Sequence, residues 1–290
     1  MIALLRTEFV KASRRTRTIV VAALLIGLPW LIVLAIDNSN DRRGPGGGPD
    51  GLFSLARASG LLVPAPVLTA TSSFLLVVIA GLLAGDSVAG DAATGNLRYL
   101  LMRPVGRVRL LLAKATVAGL LIWASVLLVV LAALAAGVAV FGAHPVLIPS
   151  ASAVRTTSTI GPQGFVRFGV VQLSESTVLF RTAIATAYVA FGLTALLALG
   201  TLFSTLSDTP TGAISATIGV YIVSEILDSV TSIGTIRYGL PTHYMDAWLP
   251  MFTSNQYSSD MVTGVIVQVA YLVVFGTAAA LWFRRKDIRS

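Results

Sequence analysis

The sequence predicts an all-α, polytopic membrane protein of six transmembrane helices, and three observations carry that prediction. The chain is 55% hydrophobic and only 12% charged, against roughly 25% charged in an ordinary soluble domain, so there is too little polar surface to coat a globule. Its mean hydropathy of +0.83 is spread over the whole length, which speaks against a soluble enzyme behind a cleaved signal. Charge-free runs of helical length recur, and the basic residues between them sort to alternate loops.

The spans follow in chain order. Residues 18–36 carry no charge and as a helix measure roughly 28 Å, close to a hydrocarbon thickness of about 30 Å. No charge stands between Arg57 and Asp86 either; the helix breakers Pro64 and Pro66 delay the usable helix, so the second span is expected at 67–84. The longest uncharged stretch lies between Lys114 and Arg155, and its helical part is placed at 115–141, before Gly142 and Pro145 interrupt it. Residues 182–207, 211–227 and 261–283 supply the remaining spans, all six forming a single transmembrane domain over 1–290.

An even number of spans puts both termini on one side, and the basic residues say which. The amino-terminal segment holds Arg6, Lys11, Arg14, Arg15 and Arg17, the second loop Arg98, Arg103, Arg107, Arg109 and Lys114, and the tail Arg284, Arg285, Lys286 and Arg289. These make up two thirds of the 21 basic residues, and under the positive-inside rule they mark the cytoplasmic face of a plasma (inner) membrane. Opposite them, Arg42, Arg43, Arg57, Arg155, Arg167 and Arg237 are largely matched by acidic residues. The net charge of +8 is thus explained by topology and by anionic lipid head groups, with no nucleic-acid partner required.

Several chemistries are excluded by residue type. The absence of cysteine rules out disulfides, thiolate metal sites and cysteine nucleophiles. His144 and His243 are far apart and lack a His-Glu pair at helical spacing, so no metal site or cofactor is expected. The run 44–49 (GPGGGP) lacks a following Lys-Ser/Thr, and no Walker motif occurs in the chain; it reads as a flexible external loop. Residues 1–16, with Ile2, Leu5, Phe9 and Ala12 opposite Arg6 and Arg14, suit an interfacial helix or a basic topogenic tail. The external stretch 228–260 is rich in aromatics (Tyr238, Tyr244, Trp248, Phe252, Tyr257), as expected of interfacial or re-entrant structure. Gly81 with Gly85, and Ser215 with Gly219, are small-residue pairs that would permit close helix approach, at a subunit contact among other places. Glu225 is the one carboxylate expected inside the hydrocarbon region; facing lipid it would be costly, so it should face protein or water, with a snorkelling helix-end residue as the alternative.

The second basic loop carries a pattern of its own. In DAATGNLRYLLMRPVGRVRLLLAK, residues 91–114, Leu97, Leu100 and Leu101 share one helical face while Arg98 and Arg103 project elsewhere. A short amphipathic helix ended by Pro104 suits a groove on a cytoplasmic partner, or equally the membrane surface as an anchor for the third span.

The run Gly95-Asn96-Leu97-Arg98-x-Leu100-Leu101-x-Arg103-Pro104-Val105-x-Arg107, followed by Lys114, resembles the signature of type-2 ATP-binding-cassette (ABC) exporter permeases. The family pattern is an acidic residue, three positions, Gly-Thr-Leu-Arg, a Leu-Leu pair, Arg-Pro, a second Arg and a Lys opening the third span. Here Asp91 stands where Glu is usual and Asn96 where Thr is usual. The resemblance implies six helices per subunit, a cytoplasmic coupling helix between spans 2 and 3, and a separate ATPase subunit that grips it. Asp91, Gly95, Leu97, Arg98, Leu101, Arg103, Pro104 and Arg107 are then the coupling residues. It further implies a second permease copy or paralogue, export driven by the partner's ATP, and no catalysis by this chain. A secondary transporter or channel without an ATPase is the competing function; it calls for buried ionisable groups at mid-membrane, where Glu225 stands alone. An intramembrane enzyme would gather Ser, His and acidic groups at one depth, and both histidines fall in external loops.

Overall fold

The computed structural model describes residues 16–38, 53, 56–93, 95, 106–149, 170–253 and 259–285. The fold is all-α apart from one small ribbon. Helix α1 (Thr16–Asn38) is followed by a 3-10 turn (Gly60–Leu62), α2 (Pro64–Ser72), α3 (Leu75–Ala93) and α4 (Arg107–Phe141). Strands β1 (Val146–Pro149) and β2 (Val170–Leu173) pair antiparallel, Val146 opposite Leu173. Then come α5 (Glu175–Leu206), α6 (Pro210–Ser229), a 3-10 segment (Thr231–Gly239), α7 (Pro250–Thr253) and α8 (Ser259–Arg285). Among the described residues six helices, α1, α3, α4, α5, α6 and α8, are long and apolar enough to cross a membrane.

Helix α5 is the axis of the bundle. It packs against α3, α4, α6 and α8, while α1 leans chiefly on α4. In its most apolar stretch 72% of the residues are buried, against 17% in α8 and 22% in α1. The outer helices therefore turn large apolar side chains outward, such as Leu31, Val223 and Ile266. In water such a surface would be an aggregation hazard; in a bilayer it is the required one.

The second apolar run is used differently from the sequence expectation of one helix at 67–84. The chain breaks at Ser73 and Phe74, and the helix that continues runs Leu75–Ala93, past Asp86 and Asp91. What precedes the break is α2, with prolines in its first turn, where a missing N–H costs nothing. Its polar side chains bond back to the backbone: Thr71 Oγ1 donates to the Val67 carbonyl at 2.8 Å and Ser73 Oγ to that of Thr69 at 2.8 Å. The 3-10 turn and α2 are nearly wholly buried against α4. There Gly60 and Gly137 meet backbone to backbone, a contact that no side chain at either position would allow. Helix α4 starts at Arg107 and its 35 residues measure roughly 52 Å, so it extends well beyond a hydrocarbon layer of about 30 Å.

The small-residue pair Gly81 and Gly85 lies inside the subunit. A side-chain carbon on Gly81 would meet Ile218 Cγ1 at 3.0 Å, and one on Gly85 would meet Ile214, including its backbone N at 3.0 Å. The pair seats α6 on α3. Gly219, by contrast, has open space where a Cβ would stand, and Ser215 is exposed.

Candidate functional site

The ends of four helices meet at the basic end of the bundle. Val88 of α3, Leu111 of α4, and Ala279 and Phe283 of α8 form a small apolar cluster of their own. Beside it, Lys114 Nζ donates to Asp91 Oδ2, an ion pair whose two side chains are each 5% exposed. The third contact comes from α5. Ser204 Oγ accepts from the backbone N–H of Val88 at 3.1 Å and of Ala89 at 2.9 Å, and donates to the Gly85 carbonyl at 2.8 Å. Together these contacts tie the end of α3 to the start of α4 and to the end of α5. In the sequence Asp91 and Lys114 flank the chain's sharpest motif.

Each expected coupling residue has a definite standing. Asp91, read from the family pattern as a contact to the partner, is turned into the bundle and buried against Lys114. Gly95 sits two residues beyond α3 with φ of +71° and open space around it. Its N–H bonds the Ala92 carbonyl at 3.0 Å; this left-handed helix stop favours glycine for its backbone alone. Arg107 is the exposed first residue of α4, and its Nη1 reaches the Arg284 carbonyl of α8 at 3.5 Å. Leu97, Arg98, Leu101, Arg103 and Pro104 lie outside the described residues, as does the expected interfacial helix at 1–16 for all but its last residue.

The opposite end is closed by a fold-back. Residues 240–253 return onto α5, placing Trp248, Met251 and Phe252 fully in the core. The buried Arg181 guanidinium donates to the Met251 carbonyl, and Tyr188 Oη to that of Tyr244 at 2.6 Å. A glycine at 264 is what lets α8 cross over Tyr188 and Tyr244, because a Cβ there would overlap the tyrosine hydroxyl. At the rim, Asp228 Oδ1 holds His243 Nδ1 at 2.6 Å, with Arg237 Nε at 3.7 Å, and His243 stands edge-on to Tyr238 and Tyr244. Ser224 and Thr242 share a buried hydrogen bond of 2.8 Å. The aromatics of this stretch suit interfacial or re-entrant structure; the fold-back is of the second kind, and it buries Trp248 and Phe252 in the core. Glu225 lies on the exposed face of α6, so a single chain does not bury it.

Among the described residues no group of His, Asp and Glu has the geometry to hold a metal ion. The fold and this end-on brace define a multi-pass helical membrane protein of six candidate spans whose polar contacts concentrate at the two ends. Residues 4–165, more than half of the chain, match the family model described as ABC-2 family transporter protein, and the chain belongs to that family. It is therefore a permease of an ABC transporter, and membership implies an ABC ATPase partner in general. No curated protein matches the chain.

Proposed function

We propose that this chain is the membrane subunit of an ATP-driven exporter, coupled to a separate ATPase through residues 91–107. The observation that carries the reading is the buried Asp91–Lys114 pair with the Ser204 brace beside it. A partner pushing on the loop between α3 and α4 pushes on two helix ends that are joined to each other and to the central helix. Tightly packed elements transmit such a displacement as a body instead of absorbing it. The α6 helix, seated on α3 through Gly81 and Gly85, follows the motion. The permease itself performs no covalent chemistry; energy comes from the ATPase closing on its nucleotide.

In this reading the loop, both termini and the basic end face the cytoplasm of the plasma (inner) membrane, a distribution favoured by the positive-inside rule. A second copy or a paralogue completes the pathway, and Glu225, exposed on one chain, finds its polar surroundings there or in the water of the pathway. Expression of the permease with its cognate ATPase, followed by reconstitution, tests the assignment. Co-purification of the two and ATP hydrolysis that rises when the permease is present support it. A permease that purifies alone, leaves hydrolysis unchanged and moves solute down an ion gradient is instead a secondary transporter or channel.

A further inference from the structure

Helices α6 and α8 both lean on α5, yet they share no extensive contact with each other. The gap between them holds a cavity on the α5 surface, bordered by Gly192, Leu196, Val220, Met245, Gln268 and Phe275. No charged side chain lines it among the described residues. Gln268 is 2% exposed, and neither its amide oxygen nor its amide nitrogen has a hydrogen-bond partner among the described residues. Such a group is costly in any protein interior and more so at membrane depth, where bulk water does not compensate. By helical rise Gln268 stands roughly 25 Å from the basic end of α8, within the half of the bilayer away from that end.

The surroundings are shaped to keep the amide where it is. A side-chain carbon at Gly192 would sit 2.9 Å from Gln268 Nε2 and 2.8 Å from Met245 Sδ, so the absence of a side chain at 192 makes the room. The cavity has room beside the amide for a small polar group. On its outer side the cavity gives onto Val220, which is 40% exposed.

We propose that this cavity seats the single hydrogen-bonding group of a neutral, otherwise apolar molecule, whose body lies in the groove between α6 and α8. The Gln268 carboxamide offers one acceptor and one pair of donors, so its complement is another carboxamide or a group with the same donor-acceptor pattern. An ionised group is disfavoured because nothing of opposite charge lines the site. The apolar rim suits a molecule that arrives from the bilayer. Binding at this seat needs no ATPase, so its failure and the failure of the exporter reading are separate results.

The probe is decanamide carrying a diazirine on its chain, added to the full chain in phosphatidylcholine–phosphatidylglycerol vesicles. After irradiation, label is expected on α6 and α8 near Val220 and Phe275. Unmodified decanamide should compete about tenfold better than undecane, the preference one good hydrogen bond gives. Gln268→Met, similar in size but without the amide, should abolish that preference without lowering the melting temperature. Should that variant not reach the membrane, Gly192→Ala, which crowds Nε2, is expected to lose the preference in the same way. Equal competition by undecane, a preference that survives in the variant, or an unlabelled wild-type groove overturns the proposal. A fall in melting temperature for Gln268→Met overturns it too, since it would mark the amide as a structural group bonded to a trapped water.

Discussion

Replacing Lys114 by Met should be far more damaging than replacing both members of its ion pair. An exposed pair is worth about 0–1 kcal/mol because water screens it and two long side chains must be held still. The Asp91–Lys114 pair is different: both side chains are 5% exposed, so neither screening nor solvation rescues the partner left behind. Removing one member of such a pair costs about 3–5 kcal/mol, a factor of roughly a hundred or more in the folded-to-unfolded ratio. Exchanging both for apolar residues removes the desolvation penalty together with the attraction and is often close to neutral. The expected series is therefore Lys114→Met destabilised by about 3–5 kcal/mol and Asp91→Leu with Lys114→Met within about 1–2 kcal/mol of the wild type. Equilibrium unfolding of the detergent-solubilised protein by denaturant, at constant slope, reads both values. A Lys114→Met cost below about 1 kcal/mol, or a double variant whose loss is the sum of the singles, would refute the buried-brace reasoning.

Two further expectations follow from the packing and the topology. Gly85→Val puts carbon against Ile214 and within reach of the Pro210 carbonyl and should cost about 1–3 kcal/mol, whereas Gly219→Ala, with open space at its Cβ, should be neutral or gain up to about 1 kcal/mol of helix propensity; the same unfolding series measures both. In the naturally cysteine-free chain, single cysteines at the exposed Ser174 and Ser259 should react with an impermeant thiol reagent in intact cells, and one at the exposed Ala93 should not; outside labelling of Ala93 would invert the orientation.

What the sequence made legible is what depends on composition and on local spacing. Six apolar segments of spanning length are visible, five of them free of charge and the fifth in chain order carrying Glu225, and among the described residues the structure holds six helices long and apolar enough to cross a membrane. The second of them shows where such reading stops. A rule that ends a span at the first carboxylate halts near Asp86, but α3 continues through Asp91, because that charge is neutralised by Lys114 from a different helix. A pair separated by 23 positions leaves no periodic trace. The same holds for Ser204, whose partners lie more than a hundred residues away. The aromatics of 228–260 were legible as interfacial or re-entrant, and the fold-back onto α5 is what makes Trp248 and Phe252 core. Gly95 was legible as part of a family pattern; its positive φ supplies a physical reason for glycine that no contact with a partner is needed to explain. The Gln268 cavity had no sequence signal, since one polar residue in a long apolar helix is unremarkable until its surroundings are known.

The central claim is that residues 91–107 hand mechanical work from an ATPase to the bundle. Its most direct test is the ATP hydrolysis rate of the reconstituted complex, with co-purification measured on the same samples, for Leu97→Asp and Arg103→Glu. Arg43→Glu, from the loop expected on the other side, is the control at matched membrane levels. A charge placed in a partly dry contact costs several kcal/mol, enough to weaken assembly by about a hundredfold or more. The account predicts that both loop variants insert normally, lose the ATPase and lose permease-dependent hydrolysis, while the control keeps all three. Normal assembly and normal hydrolysis in both loop variants would contradict it.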